Sequence, residues 1–418
     1  MRRIVVLGGG TAGTILVTKL RRRLDPAQWE IAVVDRDDIH RYQPGYLFLP
    51  FGRYRPADVA RSRHAYIPDG VRLVLADVER VVPARHSVLL ADGSSLDYDY
   101  LVVATGVQPR PDQTPGLLGD DWRRGIHEFY TYEGALALAD ALARFDSGRL
   151  VVHIVDMPIK CPVAPLEFAF LADAFLTDRG RRGRVELTYV TPLPDAFTQP
   201  VAAAHLSGML DERGIGLETD FMVEQVRDRT LVSYDEREIP FDLVVTVPLN
   251  MGAEYVARSG LGDEMNYVPV DRHTLRSPTH PEIFAIGDAT DLPTSKAGSV
   301  AHFSADVIVD NLLSAIDGRP LDASFDGHAN CFVESGHGKG LLLDFNYDTQ
   351  PLPGKYPVPR VGPFSLLAES RANHLGKLGF RWAYWNLLLR GRPMPVPARM
   401  SMAGKNREPA DEPVTTGR

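Results

Sequence analysis

The chain is poor in cysteine, with only Cys161 and Cys331 among its 418 residues. Two cysteines cannot form the disulfide network that holds a small secreted scaffold together, and they are too few for a cysteine-rich zinc site. We therefore expect no metal site. A pair of cysteines that does join in such a chain fits a redox pair better than a structural bridge.

Long hydrophobic runs are also missing. No stretch reaches the roughly 18 uninterrupted apolar residues of a membrane-spanning helix, so any contact with a membrane is expected to be peripheral. A strand begins by Ile4, which leaves no room for a secretory signal, and a cytoplasmic location is expected. The net charge of -8 argues against a nucleic-acid partner.

The length and the 44% hydrophobic content predict a globular protein of two to three domains. Strand and helix signals alternate, which predicts an α/β fold with two Rossmann-like three-layer domains and a C-terminal α+β region that ends in an amphipathic helix. The strand-like runs at 242–247 and 282–288 are interpreted as a return to the first domain, which is then discontinuous. The predicted bounds are 1–112 and 241–320 for the two parts of the nucleotide-binding domain, 113–240 for the second domain, 321–403 for the C-terminal region and 404–418 for a disordered tail.

A glycine loop lies between the first strand and the first helix. Gly8, Gly10 and Gly13 form Gly-x-Gly-x-x-Gly, and Asp35 closes the next strand. Glycines allow a tight turn and a close backbone approach, the helix N-terminus faces a pyrophosphate, and the acid accepts a hydrogen bond from a ribose hydroxyl. Strand, glycines, helix and terminal acid agree, so this loop predicts a dinucleotide site.

Two later turns narrow the choice of dinucleotide. One strand ends on Thr105 and Gly106, and another ends on Gly287 and Asp288, whose carboxylate could meet a ribityl hydroxyl. Gly-Asp alone is a common turn pair. Together with the glycine loop, however, these turns resemble the FAD-binding pattern of the two-dinucleotide-fold flavoprotein reductases over roughly residues 1–320. The resemblance implies FAD as the cofactor.

The second glycine loop of many two-nucleotide flavoproteins is absent. After the strand-like run at 150–155 the chain reads Asp-Met-Pro-Ile-Lys-Cys, so Cys161 stands where a phosphate-binding glycine loop would be expected. This replacement argues against an NAD(P)H site and directs attention to sulfur chemistry.

The segments around the two cysteines, 159–162 and 330–334, resemble the sulfide:quinone oxidoreductase family over most of the chain. The resemblance implies that Cys161 and Cys331 lie beside the flavin ring and hold a disulfide or polysulfur bridge. It further implies a proton-handling role for His127 and a place near the flavin and acceptor pocket for Lys296, although a structural histidine and a solvated loop lysine remain alternatives. Many members carry a third upstream cysteine, which this chain lacks, so neither a cysteine-linked FAD nor a three-cysteine relay is implied.

Two thiols suit the expected chemistry. A hydrosulfide anion that attacks a disulfide leaves one cysteine as a persulfide and the other as a thiolate, and we assign the persulfide to Cys331 and the thiolate to Cys161. Glu167 follows Cys161 by six residues in a predicted first helical turn, where it could accept a proton or simply stabilise the helix N-terminus. The alternative for the cysteines is that both are buried and inert.

The C-terminal region reverses the sign of the whole chain. Residues 370–405 contain no Asp or Glu, and Leu375, Leu378, Trp382, Trp385 and Leu389 recur at helical spacing, with Lys377 predicted on another face. A basic amphipathic helix over 371–392 is typical of binding to an anionic membrane surface. Packing on the protein's own core or on a second copy in a homo-oligomer is the alternative. Three aromatic residues are candidates for contact with a quinone ring: Phe332, Tyr347 and Phe380.

These observations predict an FAD enzyme, peripheral on the cytoplasmic face of the membrane, that oxidises sulfide to polysulfide or sulfur and reduces a quinone. Two other hypotheses remain. A type II NADH:quinone dehydrogenase would require the missing second glycine loop. A flavoprotein that senses or binds sulfane sulfur without turnover would keep its flavin oxidised in the presence of sulfide.

Overall fold

The computed structural model describes residues 1–358, 360–394 and 396–406, and a parallel five-stranded sheet lies at the centre of its first unit. Four of its strands are apolar and largely buried on both faces, as expected when helices or further sheets cover a parallel sheet, whereas the edge strand Val71–Leu75 is partly exposed. With strands numbered in chain order, the sheet reads β20 (Ile283–Ala285), β9 (Tyr100–Val103), β1 (Arg2–Leu7), β2 (Trp29–Asp35) and β5 (Val71–Leu75).

A second parallel sheet forms the second unit, in the order β11 (Ile126–His127), β18 (Leu243–Val247), β12 (Gly148–Ile154), β13 (Val185–Val190) and β14 (Gly216–Glu218). The prediction that residues 242–247 return to the first domain is wrong, because β18 pairs with β11 and β12. The chain therefore re-enters the first sheet only at β20. Buried parallel strands have the same apolar character in either sheet, so the sequence alone could not assign β18.

The helices confirm the α/β class. They are α1 (Thr11–Arg21), α2 (Tyr132–Arg144), α3 (Ala164–Asp178), α4 (Pro200–Glu212), α5 (Glu254–Arg258), α6 (Gly298–Ile316) and α7 (Arg371–Ala383). A π-helical turn, Tyr384–Leu388, continues α7. Short 3-10 turns occur between them, of which Gly287–Ala289 contains Asp288 and belongs to the site described below.

The predicted C-terminal α+β region is a four-stranded sheet with α7 against it. Its order is β21 (Ala329–Gly336), β22 (Lys339–Phe345), β24 (Phe364–Leu366) and β23 (Gly354–Tyr356). The remaining strands form small antiparallel sheets: β3 (Ile39–Arg41) with β4 (Ala60–Ser62), β6 (Val78–Val82) with β7 (Ser87–Leu90) and β8 (Ser95–Asp97), β10 (Val107–Pro109) with β19 (Asn250–Gly252), and β15 (Val223–Arg227) with β16 (Thr230–Ser233) and β17 (Glu238–Pro240).

The start of the predicted disordered tail is ordered. Lys405 pairs with Gly354, and its ammonium group contacts the buried carboxylate of Asp344. This buried ion pair and the backbone bridge fix residues 404–406 against the C-terminal sheet, which corrects the predicted boundary at 404. The rest of the predicted tail, 407–418, lies outside the described residues.

Across the described ranges, none of the helices is both long enough and apolar enough to cross a membrane. The longest helix, α6, carries charged and polar side chains along its 19 residues.

Candidate active site

The glycine loop joins β1 to α1 as predicted. Gly8 has a φ of +97°, and a β-carbon on Gly13 would lie 1.8 Å from the carbonyl oxygen of Gly8. Both positions therefore require glycine, the first for its left-handed backbone and the second for the close approach of helix and loop. A β-carbon on Gly10 would meet nothing within 4 Å, so open space lies beside the N-terminus of α1.

Asp35 ends β2 beside this loop. Its Oδ2 accepts a hydrogen bond of 2.7 Å from the backbone N–H of Gly9 and lies 2.9 Å from Nη1 of Arg63. Burial raises the pKa of Asp35, and the guanidinium of Arg63 opposes that shift. Arg63 also donates to the carbonyl oxygen of Gly9 and is itself buried. The sequence did not indicate this arginine, which holds the glycine loop in place through its contacts with Asp35 and Gly9.

The other two predicted cofactor segments meet the glycine loop at one edge. Because β20, β9 and β1 are adjacent and parallel, Asp288, Thr105 and the glycine loop all follow the carboxyl ends of neighbouring strands. Gly106 and Gly287 lie in the same two turns, each with a positive φ. Burial raises the pKa of Asp288, while the positive charges of Lys296 and Lys160 oppose that shift.

Lys296 is 6% exposed, which excludes the alternative of a solvated loop lysine. Its Nζ donates to the carbonyl oxygens of Thr290 (2.7 Å) and Asp288 (3.3 Å) and lies 4.1 Å from the ring centre of Tyr267. The residues present therefore fit FAD: an open helix N-terminus for the pyrophosphate, and the partly buried Asp288 and the buried Lys296 where the flavin end would lie.

Cys161 lies in the loop between β12 and α3, in a left-handed conformation with φ of +50°. Its N–H donates 2.6 Å to the carbonyl oxygen of Lys296, and its own carbonyl oxygen accepts from the N–H of Ala164 and the hydroxyl of Tyr130. A non-glycine residue in the left-handed conformation costs on the order of 1–3 kcal/mol of folding free energy, and it keeps that conformation only when surrounding contacts hold it there. These three hydrogen bonds hold the cysteine next to the flavin-side lysine.

Cys331 lies on β21, which packs against α3. Both cysteines are free thiols in this structure and each is partly buried. Burial raises the pKa of Cys331 to about 12 and raises that of Cys161 still further above its usual range. The same two charged groups then act on both thiols: Lys377 lowers their pKa values and Glu167 raises them. The two cysteines therefore share one electrostatic environment.

A buried ion pair supplies that environment. Glu167 is in the first turn of α3, as predicted, and its Oε1 contacts the ammonium group of Lys377 and accepts a 2.6 Å hydrogen bond from the N–H of Glu334. The other carboxylate oxygen, Oε2, is buried and has no partner among the described residues. Burial raises the pKa of Glu167, and Lys377 offsets this only in part. Burial opposes the charge of Lys377, but the surrounding acids outweigh it and raise its pKa.

The side chains of α7 refine the prediction of a basic amphipathic helix. Helical spacing placed Lys377 on another face than the apolar stripe, and the side chain of this lysine is only 13% exposed, with its Nζ donating 2.9 Å to the carbonyl oxygen of Phe332. The apolar stripe divides as well, since Trp385 is buried whereas Trp382 is 62% exposed. The missing signal was the partner, because Glu167 is distant in sequence and only the tertiary fold brings it to α7.

Further charged groups extend the network towards the surface. Glu334 is fully buried and accepts a 2.9 Å hydrogen bond from Nδ1 of His374, with Arg53 at 3.6 Å. The side chains of His374 and Arg53 are 14% and 33% exposed. Glu334 thus joins two sets of contacts, its backbone N–H to Glu167 and its carboxylate to the partly exposed His374 and Arg53, and no sequence motif predicted this arrangement.

Other predicted residues lie elsewhere. His127 is on β11 in the second unit, where it is hydrogen-bonded to the carbonyl oxygen of Arg124, and burial lowers its pKa. Phe332 and Phe380 lie next to α7 or on it, but Tyr347 packs on Phe325 and donates to the carbonyl oxygen of Arg272. The structure brings together Cys161, Cys331, Glu167, Asp288 and Lys296; it shows no contact of His127 or Tyr347 with them among the described residues.

Comparison with known proteins gives consistent results. The family model described as pyridine nucleotide-disulphide oxidoreductase matches residues 2–155. The mitochondrial sulfide:quinone oxidoreductase of Mus musculus is 28% identical over 400 residues, which cover 93% of this chain and 86% of the mouse protein. Its counterpart in Dictyostelium discoideum is 27% identical over 398 residues, with the same coverage. The X-ray structure of the sulfide:quinone oxidoreductase from Aquifex aeolicus matches with a TM-score of 0.78 at 20% identity, over 94% of this chain and 92% of that one.

The fold and the site thus define an FAD-dependent oxidoreductase with two dinucleotide-binding-type units. Over nearly its whole length the chain is similar to named sulfide:quinone oxidoreductases at 27–28% identity, so the predicted resemblance is confirmed. The predictions of the fold class and of FAD as the cofactor are confirmed with it.

Proposed function

We propose that this enzyme oxidises sulfide to polysulfide or sulfur at Cys161 and Cys331 and passes the electrons to a quinone. The observation that carries the proposal is the pair of partly buried thiols that shares the ion pair of Lys377 and Glu167. The thiols lie beside the predicted flavin end, and the chain's relatives are named for sulfide and quinone.

The first step is a thiol-disulfide exchange in the oxidised enzyme. Hydrosulfide attacks the sulfur of Cys331 in a Cys161–Cys331 disulfide; a new S–S bond forms at Cys331, and the old one breaks with its electron pair on Cys161. The product is a persulfide on Cys331 and a thiolate on Cys161. The ammonium group of Lys377 stabilises the developing thiolate in a site that otherwise disfavours charge.

Proton transfer falls to the acids of the site. Glu167 has a raised pKa and an unpartnered Oε2, so it is suited to accept the proton of hydrogen sulfide or of the persulfide. Glu334 and His374 extend from it towards the surface. A bound FAD, held by the glycine loop, Asp288 and Lys296, supplies the two-electron acceptor that connects sulfur oxidation to quinone reduction.

The face of α7 is proposed as the membrane contact, on the cytoplasmic side. Leu375 and Trp382 are 64% and 62% exposed, and the exposed side chains of Arg371, Arg390 and Arg392 lie on α7 or in the segment that follows it. Docking there would place the quinone near Phe380 and Phe332, whereas Tyr347 lies on another part of the C-terminal region and is dropped as a ring contact.

Vesicle sedimentation tests this surface. We expect binding to vesicles that contain phosphatidylglycerol to weaken several-fold in Trp382→Ser and to stay unchanged in Tyr234→Ser, which removes an equally exposed aromatic side chain from the second unit. Equal binding by both variants would exclude α7 as the contact.

The reaction itself is tested by anaerobic titration of the yellow protein with sodium sulfide, followed by a soluble quinone, with Cys161→Ser alongside. Bleaching of the flavin absorbance that is absent in the variant and reversed by quinone supports the proposal. An unchanged spectrum with sulfide but bleaching with NADH would overturn it in favour of an NADH:quinone dehydrogenase. No response to either reductant would favour a sulfur-sensing flavoprotein.

A further inference from the structure

The chain that follows α7 lies along α1, the helix that begins at the glycine loop. We call residues 384–391 the C-terminal turn. Its first residue, Tyr384, is 1% exposed, and its hydroxyl is hydrogen-bonded at 2.7 Å both to Oγ1 of Thr11 and to Nε2 of His40. Thr11 is the first residue of α1, so the contact lies at the helix end that faces the cofactor phosphates.

The other end of the C-terminal turn is tied to the other end of α1. The guanidinium of Arg22 donates to the carbonyl oxygens of Gly391 (2.7 Å) and Arg390 (2.6 Å), and the hydroxyl of Thr18 lies 3.2 Å from the carbonyl oxygen of Leu389. The turn therefore holds α1 at both ends.

The surroundings keep these groups neutral and fixed. Burial, helped by Arg63, lowers the pKa of His40 to about 3, and burial raises that of Tyr384 above its usual range. Trp385 packs edge-on against His40, with 5.5 Å between ring centres. Its indole Nε1 is buried and has no hydrogen-bond partner among the described residues.

We propose that the C-terminal turn holds the pyrophosphate loop in its FAD-binding position, with Tyr384 as the positioning residue. Tyr384 fixes Thr11 and therefore the free N–H groups of the first turn of α1 on which the cofactor phosphates depend. The inference concerns cofactor retention only. It stands whether or not sulfide is the electron donor.

The test uses the holoenzyme and the variant Tyr384→Phe, which removes one hydroxyl and keeps the ring. Release of FAD after dilution is followed by the rise of free-flavin fluorescence. We expect release about tenfold faster than in the wild type, the effect of about one lost net hydrogen bond. Tyr347→Phe is the matched control, because its hydroxyl donates to the carbonyl oxygen of Arg272 in the C-terminal region and should change release less than about twofold.

Thermal unfolding with and without excess FAD separates positioning from general stability. A positioning role predicts that Tyr384→Phe loses part of the rise in Tm that added FAD produces, because that rise depends on affinity for FAD. Release at the wild-type rate would overturn the proposal. So would an equal fall in Tm with and without added FAD, since that result assigns Tyr384 to folding alone.

Discussion

The two parallel sheets carry different loops at corresponding places. In the first unit three residues, Gly8 to Gly10, join β1 to α1 and leave open space at the helix N-terminus. In the second unit the longer segment 155–163 joins β12 to α3, and it presents Cys161 instead of glycines. The first turn of α1 contains no acid, whereas that of α3 contains the buried Glu167.

This difference separates two helix ends that otherwise lie at corresponding places. A helix N-terminus favours an anion, and a pyrophosphate can approach only when glycines leave the backbone bare. In the second unit the segment before α3 is not a glycine loop, and the first turn of α3 already contains the carboxylate of Glu167. The second helix end therefore lacks the features with which the first would hold a pyrophosphate.

The largest effects are expected from variants that replace the residue on which each loop depends, Gly13 in the first unit and Cys161 in the second. Gly13→Ala places a β-carbon 1.8 Å from the carbonyl oxygen of Gly8, so we expect protein purified without flavin absorbance. Gly208→Ala, on α4 with nothing within 4 Å of the added carbon, is the control and should stay yellow. Cys161→Ala should also stay yellow but lose reduction by sulfide at least a thousandfold, on the order of losing a nucleophile. FAD loss in Cys161→Ala would show that the two loops are not independent.

A second prediction concerns the cation beside the thiols. Lys377→Met removes the group that lowers the pKa of both cysteines, so alkylation of the reduced enzyme should shift to higher pH. Reduction by sulfide should fall about a hundredfold, as for loss of one preorganised donor. Arg381→Met, one turn along α7, is the control. Because Lys377→Met leaves Glu167 buried without its partner, the double variant with Glu167→Gln guards against unfolding and is compared with Glu167→Gln alone. An unshifted alkylation profile in Lys377→Met, together with equal profiles for the double variant and Glu167→Gln, would contradict the role of Lys377.

A third prediction separates the two hypotheses for Glu167. Its charge raises the pKa of both thiols, so Glu167→Gln should shift alkylation to lower pH, opposite to Lys377→Met. If Glu167 accepts a proton, reduction by sulfide should nevertheless fall at least about tenfold. Glu369→Gln, which removes a carboxylate paired with Arg213 outside the site, should change neither quantity. A wild-type rate in Glu167→Gln would leave Glu167 with a structural role only.

The smallest predicted effect is a loss of folding stability in acid, to which one buried histidine in each unit contributes. Burial lowers the pKa of His40 in the first unit and of His153 in the second to about 3. Each therefore contributes stability above its unfolded pKa, about 6.5, and that stability is lost as the pH falls from there towards 3. At pH 5 the loss is about 2 kcal/mol per histidine.

Thermal unfolding at pH 7.5 and pH 5 measures this loss. The difference in Tm between the two conditions should shrink in His153→Asn and should keep its wild-type value in His205→Asn, an exposed position on α4. An unchanged difference in His153→Asn would mean that the buried histidine does not titrate on unfolding.

Local motifs predicted that the three candidate cofactor turns lie at strand ends. The glycine loop, Asp35 and the turn at Asp288 could be read from the sequence because each combines a strand end with a residue type that the geometry requires. The sequence could not show which sheet β18 belongs to or that Lys377 is buried. Buried parallel strands are apolar in either sheet, so their sequence does not identify their neighbours. The helical periodicity of α7 shows which residues share a face but not what that face contacts.

The sequence by itself determined the identity of the reactive groups: a bare helix N-terminus for FAD, two cysteines, and an acid six residues beyond the first of them. The tertiary structure alone decided that Lys377 joins Glu167 beside both thiols and that Tyr384 reaches Thr11 at the glycine loop. The physical reason is that spacing along a chain fixes only neighbours within one element. Ion pairs and hydrogen bonds between distant elements depend on how those elements pack, which no local pattern records.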